Sequence, residues 1–432
     1  MKKYIRRIIF WSTIGLLIRI SIMPLTMHGQ DLVFINYFPM MFVKGGIWDP
    51  YGFISTNFSH FPYTYYGPVL FIIMSIANFI IIKLFNPTSL ITILELSSTM
   101  MARGFTTVDY VHVFSNLGLF KNLFLMKMPY LIFDFLIAGI LLKLAPSKNL
   151  SLTSYKLWML NIVVLHSAYM IGQADLIPAL FIIAALYAAA RAKRPYLSVV
   201  LLSLGGATKL FPYILILPAC LLLGEGWKKK FSLMFTGAAV TLLSYLPFYL
   251  SSGNSVFGFF ISSQVTQYRG ITKWILPGMF VVLYFLACRN AAKDSQKPNP
   301  ERRLLYYFAI VMFLGYMTFP VKLRYFVYIT PVLALIIPHH KKFGIFILSV
   351  ILMVMFQSLT YRSVQLGLFA PLNSAYFLNL PTLQEIMGHF VNIGICYKVM
   401  ARLLLLSFLI GAWWIWRISM GSGASTREEA LC

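Results

Sequence analysis

The sequence predicts an all-α polytopic membrane protein of about 11 to 13 transmembrane helices, with a long first outer loop. Three observations carry that reading. The 432-residue chain is 59% hydrophobic and 11% charged, with a mean hydropathy of +0.78, whereas a soluble globular protein carries about 25% charged residues. Its apolar residues fall into successive runs long enough for helices. Its 36 Lys and Arg against 12 Asp and Glu, a net charge of +24, gather in short knots between those runs. The knots are Lys2, Lys3, Arg6 and Arg7; Arg191, Lys193 and Arg194; Lys228 to Lys230; Arg302 and Arg303; Lys341 and Lys342. A nucleic-acid binder is equally basic, but its charge covers a polar face or tail. Knots between apolar runs mark cytoplasmic loops under the positive-inside rule, so no nucleic-acid partner is expected.

A hydrocarbon core of about 30 Å takes roughly 20 apolar residues per helix. The run 8–27 makes the first span, cytoplasmic end first. Its basic-then-apolar start is like a signal peptide, but no small-residue cleavage site follows, so an uncleaved span is expected. Residues 28–66 form a long outer loop. Its opening "DLVFINYFPMMFVKGG" suits an interfacial helix, and the remainder, rich in Gly, Pro, Asn and Tyr, reads as ordered loop. Further runs cover 67–85, 128–144, 156–171, 176–190, 196–223, 231–250, 275–288, 304–319, 325–338, 343–358 and 391–417. The run 196–223 is interrupted by "GGATKLFP" and flanked by basic knots. Both knots are cytoplasmic only if it rises and returns as two short helices with Lys209 at the tip, and non-helical backbone at that depth survives where it lines a polar cavity. Either 86–121 contains a crossing or 67–85 is re-entrant. Residues 289–303 read as a cytoplasmic linker, 1–420 as one integrated membrane domain and 421–432 as a disordered tail. Cys220, Cys288 and Cys396 lie within apolar runs and Cys432 is terminal, which gives no disulfide framework or metal spacing.

Ionisable residues inside or at the mouths of spans are costly in hydrocarbon and usually line a cavity. Here they are Asp31, Asp134, Asp175, Lys209, Arg269, and Lys322 with Arg324. The knots put most of them in the outer half: Asp175, for example, lies roughly one helix length of 15 residues from cytoplasmic Arg191. Singly, each has a structural reading. Asp31 and Asp175 suit N-caps, Asp134 an interhelical ion pair, and Lys209 a side chain snorkelling to the interface. Together they make an outward-facing polar cavity with two carboxylates and about four cations. Such cations suit a lipid phosphate, and a carboxylate on the first outer loop suits a general base for an incoming hydroxyl. Aromatics such as Trp48, Tyr51, Tyr63, Tyr65 and Tyr66 suit either a sugar site or an interfacial belt; Trp274 and Gln173 complete the candidate substrate contacts.

The order of "GGIWDPY", "PYTYYGPVLF", "KMPYLIFDFLIAGILLKL", "LWMLNIVVLHSAYMIGQADLIPALFIIAALYAAARAKR" and "GGATKLFPYILILP" resembles the GT-C superfamily of polyprenyl-phosphate-sugar-dependent glycosyltransferases. It is most similar to the GPI mannosyltransferase I catalytic subunit and to bacterial and archaeal polyprenol-phosphate-mannose enzymes. The similarity runs from about 28 to 218 and resumes more weakly at "SSQVTQYRGITKW" and "FPVKLRYFVYITPVL". It implies a GT-C-like fold and an inverting transfer from dolichyl or polyprenyl phosphate to a lipid-linked or glycan acceptor on the outer or luminal face. The enzyme would sit in a prokaryotic plasma membrane or the endoplasmic reticulum of a eukaryote, among membrane lipids. The family's catalytic acid falls on Asp31, its Gly-x-x-Asp turn on Gly172 to Asp175, and its helix-breaking Lys on Lys209. Donor phosphate would fall to Lys209 and Arg324 with Lys322 or Arg269. Where the GPI-type enzymes show Asp-x-Asp, this chain has "GQD", as in relatives that work with a single acid. No prosthetic-group motif is present, and nothing in the sequence supports a divalent metal. The alternative is a multi-span transporter or flippase of a lipid-linked saccharide, which also uses broken helices and buried charges but calls for paired half-sequences.

Overall fold

A computed structural model describes residues 2–46, 48–57, 66–86, 88–103, 109, 111–112, 115, 117–253, 272–297, 299–318, 322–359 and 362–421. Among the described residues every regular element is helical. In chain order they are α1 (Lys2–Ile22), α2 (Gly29–Gly45), α3 (Pro50–Asn57), α4 (Pro68–Phe85), α5 (Thr88–Arg103), α6 (Leu119–Leu144), α7 (Lys148–Met159), α8 (Leu176–Ala190), α9 (Pro195–Gly206), α10 (Ile216–Leu223), α11 (Gly226–Ser252), α12 (Thr272–Asp294), α13 (Pro300–Thr318), α14 (Thr330–Ile336), α15 (Lys341–Ser358) and α16 (Ile393–Gly421), with short 3-10 and π turns between them. Six are long and apolar enough to cross a bilayer: α4, α6, α11, Trp274–Asp294 of α12, α15, and Ile393–Met420 of α16. The shortest of these, at 18 residues, spans about 27 Å, close to the roughly 30 Å of hydrocarbon. The chain is therefore an integral membrane protein.

The centre is built from α8 and α13, which are buried along most of their length; α8 packs on α6 and α9, and α13 on α12 and α16. Several expected spans are broken. Asn161 interrupts 156–171 because its Oδ1 accepts from the backbone N–H of Val163 (2.9 Å) and Val164 (3.1 Å) and starts a new turn. A π-helical segment, Leu165–Ile171, follows and ends at Gly172. The run 325–338 is likewise split into a 3-10 turn, Leu323–Tyr328, and short α14. The run 196–223 divides as expected: α9 stops at Gly206, Lys209 lies in the turn, and Pro212 opens a 3-10 segment, Phe211–Leu215.

Other expectations are revised. The second half of the 28–66 segment contains α3, whose first turn is capped by Asp49 Oδ1 on the N–H of Tyr51 (3.1 Å) and Gly52 (3.2 Å). Linker 289–303 is mostly helical, with residues 295–297 and 299 left between helices among the described residues. Helix α12 continues to Asp294, which pairs with Arg303 (3.2 Å) and accepts from the Tyr307 hydroxyl (3.0 Å) at the start of α13. Of the tail, 422–432 lies outside the described residues.

Three of the basic knots come together around Asp294, Ser295 and Glu301. Lys193 pairs with Glu301, Lys230 donates to Ser295 (3.1 Å), and Arg191 donates to the carbonyls of Lys143, Leu144 and Ala145 at the end of α6, where helix carbonyls lack partners.

Candidate active site

Three breaks and two helix starts build one cluster. Gly172 has φ +90°, and a Cβ there would stand 2.6 Å from Leu32 Cδ1. Glycine lets α2 seat against the 172–175 turn, bringing Asp31 beside Gln173 and Asp175. At a second close approach, Gly67 N–H donates to the Thr208 carbonyl (2.9 Å) and Val69 N–H to that of Ala207 (3.1 Å). A Cβ on Gly67 would lie 2.1 Å from the Ala207 oxygen. That pairing lays Tyr66 over Lys209.

Asp175 and Lys209 form one ion pair, Nζ to Oδ1 at 2.5 Å, and the Tyr328 hydroxyl donates to the same oxygen at 2.6 Å. The ammonium faces the rings of Tyr325 (4.8 Å), Tyr66 (5.2 Å) and Tyr328 (5.7 Å), a cation–π cage. Tyr325 and Tyr328 flank it together because side chains three apart eclipse in a 3-10 turn; their rings lie 15° from parallel. Arg324, in the same turn, pairs with Asp31 through a single nitrogen, Nη1 to Oδ2 at 2.6 Å. His28 Nδ1 lies 3.1 Å from the same oxygen. Burial alone would raise the Asp31 carboxyl, but the charges of Arg324 and His28 outweigh it and hold Asp31 well below the usual carboxylate range. Tyrosines tie the frame: Tyr66 hydroxyl to Gln173 Oε1 (2.7 Å), Tyr51 hydroxyl to the Tyr66 carbonyl (3.0 Å), and Tyr130 hydroxyl to the Gly172 carbonyl (2.9 Å).

The structure thus gathers Asp31, Arg324, Asp175, Lys209, Gln173 and Tyr51. Neither carboxylate acts as an N-cap: Asp31 sits within the first turn of α2, whose cap position is His28, and Asp175 makes no capping bond. Lys322 is exposed at the entry to the Arg324 turn. Tyr65 and Arg269 lie outside the described residues. Trp274 is 76% exposed, so it is not part of the buried cluster.

Asp134 does not join it either. Fully buried, it accepts at 2.6 Å from each of Arg19 Nε, Trp158 Nε1 and the Tyr169 hydroxyl. Its carboxylate has donors enough without a substrate. One face of α6 carries this in a ladder of Lys127, Tyr130 and Asp134. Lys127 is buried and donates to the carbonyls of Met23 (3.0 Å), Thr26 (2.5 Å) and Tyr169 (2.9 Å), tying the end of α1 to the π segment. The sequence reading missed Arg19, Lys127, Tyr328 and the cap 362–392. That cap touches the site region through Met27 N–H on the Leu368 carbonyl (2.8 Å) and His166 Nε2 near the Val364 carbonyl (3.2 Å). The available signal was an ionisable residue inside an apolar run. Among the described residues no group of three or more His, Cys, Asp or Glu is placed to hold a metal ion.

The cluster is charge-balanced and lies at the breaks of apolar helical segments. Residues 130–319, which hold Gln173, Asp175 and Lys209, match the model of Glycosyltransferase family 87. Asp31 and Arg324 lie outside the matched stretch. Two solved structures are similar at 13% identity, each covering 94% of this chain and 74% of the other. They are ArnT from Cupriavidus metallidurans in the apo state (TM-score 0.48) and the same protein bound to undecaprenyl phosphate (TM-score 0.45). No curated protein matches the chain.

Proposed function

We propose that the chain is an inverting glycosyltransferase that moves a sugar from a polyprenyl or dolichyl phosphate to a hydroxyl of a lipid-linked or glycan acceptor on the outer or luminal face. The resemblance noted above favours mannose. The observation that supports this best is the meeting of two carboxylates, two cations and a tyrosine cage in one cluster. Lys209 and Arg324 supply positive charge for a phosphodiester, Lys322 stands at the entrance, and Asp31 is the base.

In the proposed step the acceptor oxygen attacks the anomeric carbon while its proton passes to the Asp31 carboxylate. The bond from the anomeric carbon to the phosphate oxygen breaks, and the bonding pair leaves with the lipid phosphate as a monoester. A phosphate leaving group needs little protonation, so the assistance is required by the nucleophile, where general-base catalysis contributes about 100- to 10,000-fold. Asp175 holds Lys209 in place, and Gln173, fixed by Tyr66, faces the sugar.

The purified protein, given labelled polyprenyl-phosphate mannose or glucose with membrane lipid extract, should form a labelled glycoside of opposite anomeric configuration. Asp31→Asn should lose two or more orders of magnitude in turnover. No transfer from either donor, or full turnover in Asp31→Asn, would remove the proposal.

A further inference from the structure

We infer that Arg324 is shared between the base and the donor: phosphate draws the guanidinium away from Asp31, and only then is the carboxylate free to take a proton. This rests on the reading above and adds an order of events to it.

Both cations of the cluster are already neutralised by carboxylates, so an arriving phosphate must compete for them. The two pairs differ in how readily they exchange. Asp175 is 1% exposed and its Oδ1 also receives the Tyr328 hydroxyl, while Lys209 is caged by three rings. The Asp31–Arg324 pair is 22% and 20% exposed and uses one guanidinium nitrogen rather than a two-pronged fork. Arg324 Nε is buried without a hydrogen-bond partner among the described residues. A phosphate offers the guanidinium several oxygens in fork geometry. A buried pair saturated with donors, such as Arg19–Asp134, has no such freedom, because removing one partner strands a charge. Lys209 therefore stays and Arg324 turns.

The exchange matters for the base. Asp31 is faced by His28 ahead of α2, Arg324 in its 3-10 turn, Tyr66 ahead of α4, Tyr130 on α6 and Asp175 ahead of α8. Arg324 exerts the largest pull toward ionisation. With Arg324 on the phosphate, the largest pull toward ionisation is gone while burial still opposes the charge on Asp31, and its proton affinity rises. The base becomes competent when the donor is in place.

The test is binding of polyprenyl phosphate without a sugar to the full chain in lipid nanodiscs, with polyprenol as the phosphate-free control. Removing the competitor should tighten binding: Asp31→Asn should hold polyprenyl phosphate about tenfold more strongly than the wild type. In an Arg324→Gln background the same substitution should give no gain, which a double-mutant cycle reads directly. Asp31→Ser serves if the asparagine variant is not recovered folded. Unchanged or weaker binding in Asp31→Asn overturns the exchange. So does an equal gain with and without Arg324, which would mean simple repulsion between Asp31 and phosphate. If the wild type binds polyprenyl phosphate no better than polyprenol, the donor reading itself fails, and the exchange with it.

Discussion

Gly172→Ala should cost both stability and turnover, for two separable reasons. The backbone there has φ +90° and ψ 32°, and a left-handed conformation costs an L-residue about 1–2 kcal/mol. The new Cβ would also meet Leu32 at 2.6 Å (Cδ1), 3.1 Å (Cβ) and 3.2 Å (Cγ). Carbon atoms prefer about 3.5–4.0 Å, so Leu32 must retreat by about 1 Å. It is fully buried and has no free space to turn into, and overpacking of that kind costs about 1–3 kcal/mol. The expected loss is therefore about 2 to 5 kcal/mol. Leu32 follows Asp31 directly, so its retreat moves the base, and a misplacement of about 1 Å can cost about 100-fold in rate. Thermal unfolding in detergent and single-turnover transfer measure the two effects. Gly172→Ala/Leu32→Ala removes the Cδ1 and Cγ contacts, keeps only the milder one to Cβ and leaves the φ strain, so it should regain rate relative to Gly172→Ala while remaining destabilised. Full stability in Gly172→Ala, or losses in the double variant equal to those of the two single variants combined, would refute the reasoning.

Three further outcomes are expected. Asp134→Asn leaves Arg19 buried and uncompensated, at about 3–5 kcal/mol, whereas Arg19→Met/Asp134→Leu should be recovered better than either single variant, by monodisperse yield. Arg324→Lys keeps the charge but loses the planar fork, so the donor Michaelis constant should rise at least severalfold while expression is unchanged. Asp31 is depressed by its partners, so its stabilisation is fully present above the unfolded value of about 3.9 and is lost as pH falls through the lower folded value. The difference in unfolding temperature between wild type and Asp31→Asn should then be constant above about pH 5 and shrink below about pH 4.

The break at Lys209 was legible because Gly205, Gly206 and Pro212 announce it in the sequence. The break at Asn161 was not, since one polar residue barely changes the hydropathy of its run. Asp31, Asp175, Lys209 and Arg324 stood out as scarce charges at the ends of apolar stretches. Their pairing did not, because Asp31 and Arg324 are separated by 293 positions and Asp175 and Tyr328 by 153. Arg19 and Lys127 were hidden for the opposite reason. Each lies within or beside a long run, where averaged hydropathy absorbs a single charge, and only the distant carbonyls and carboxylate that receive it reveal its purpose.

The Arg19–Asp134 pair also constrains how the protein is made. The partners lie 115 positions apart, so at about 5–20 residues per second the arginine emerges roughly 6 to 23 s before its counter-charge. Until Asp134 appears, Arg19, in the last turn of α1, has no carboxylate partner. Trp158 and Tyr169, the other donors to Asp134, arrive later still. A chain arrested between α1 and α6 therefore carries a single unanswered guanidinium, and its counter-charge is supplied only by completing α6.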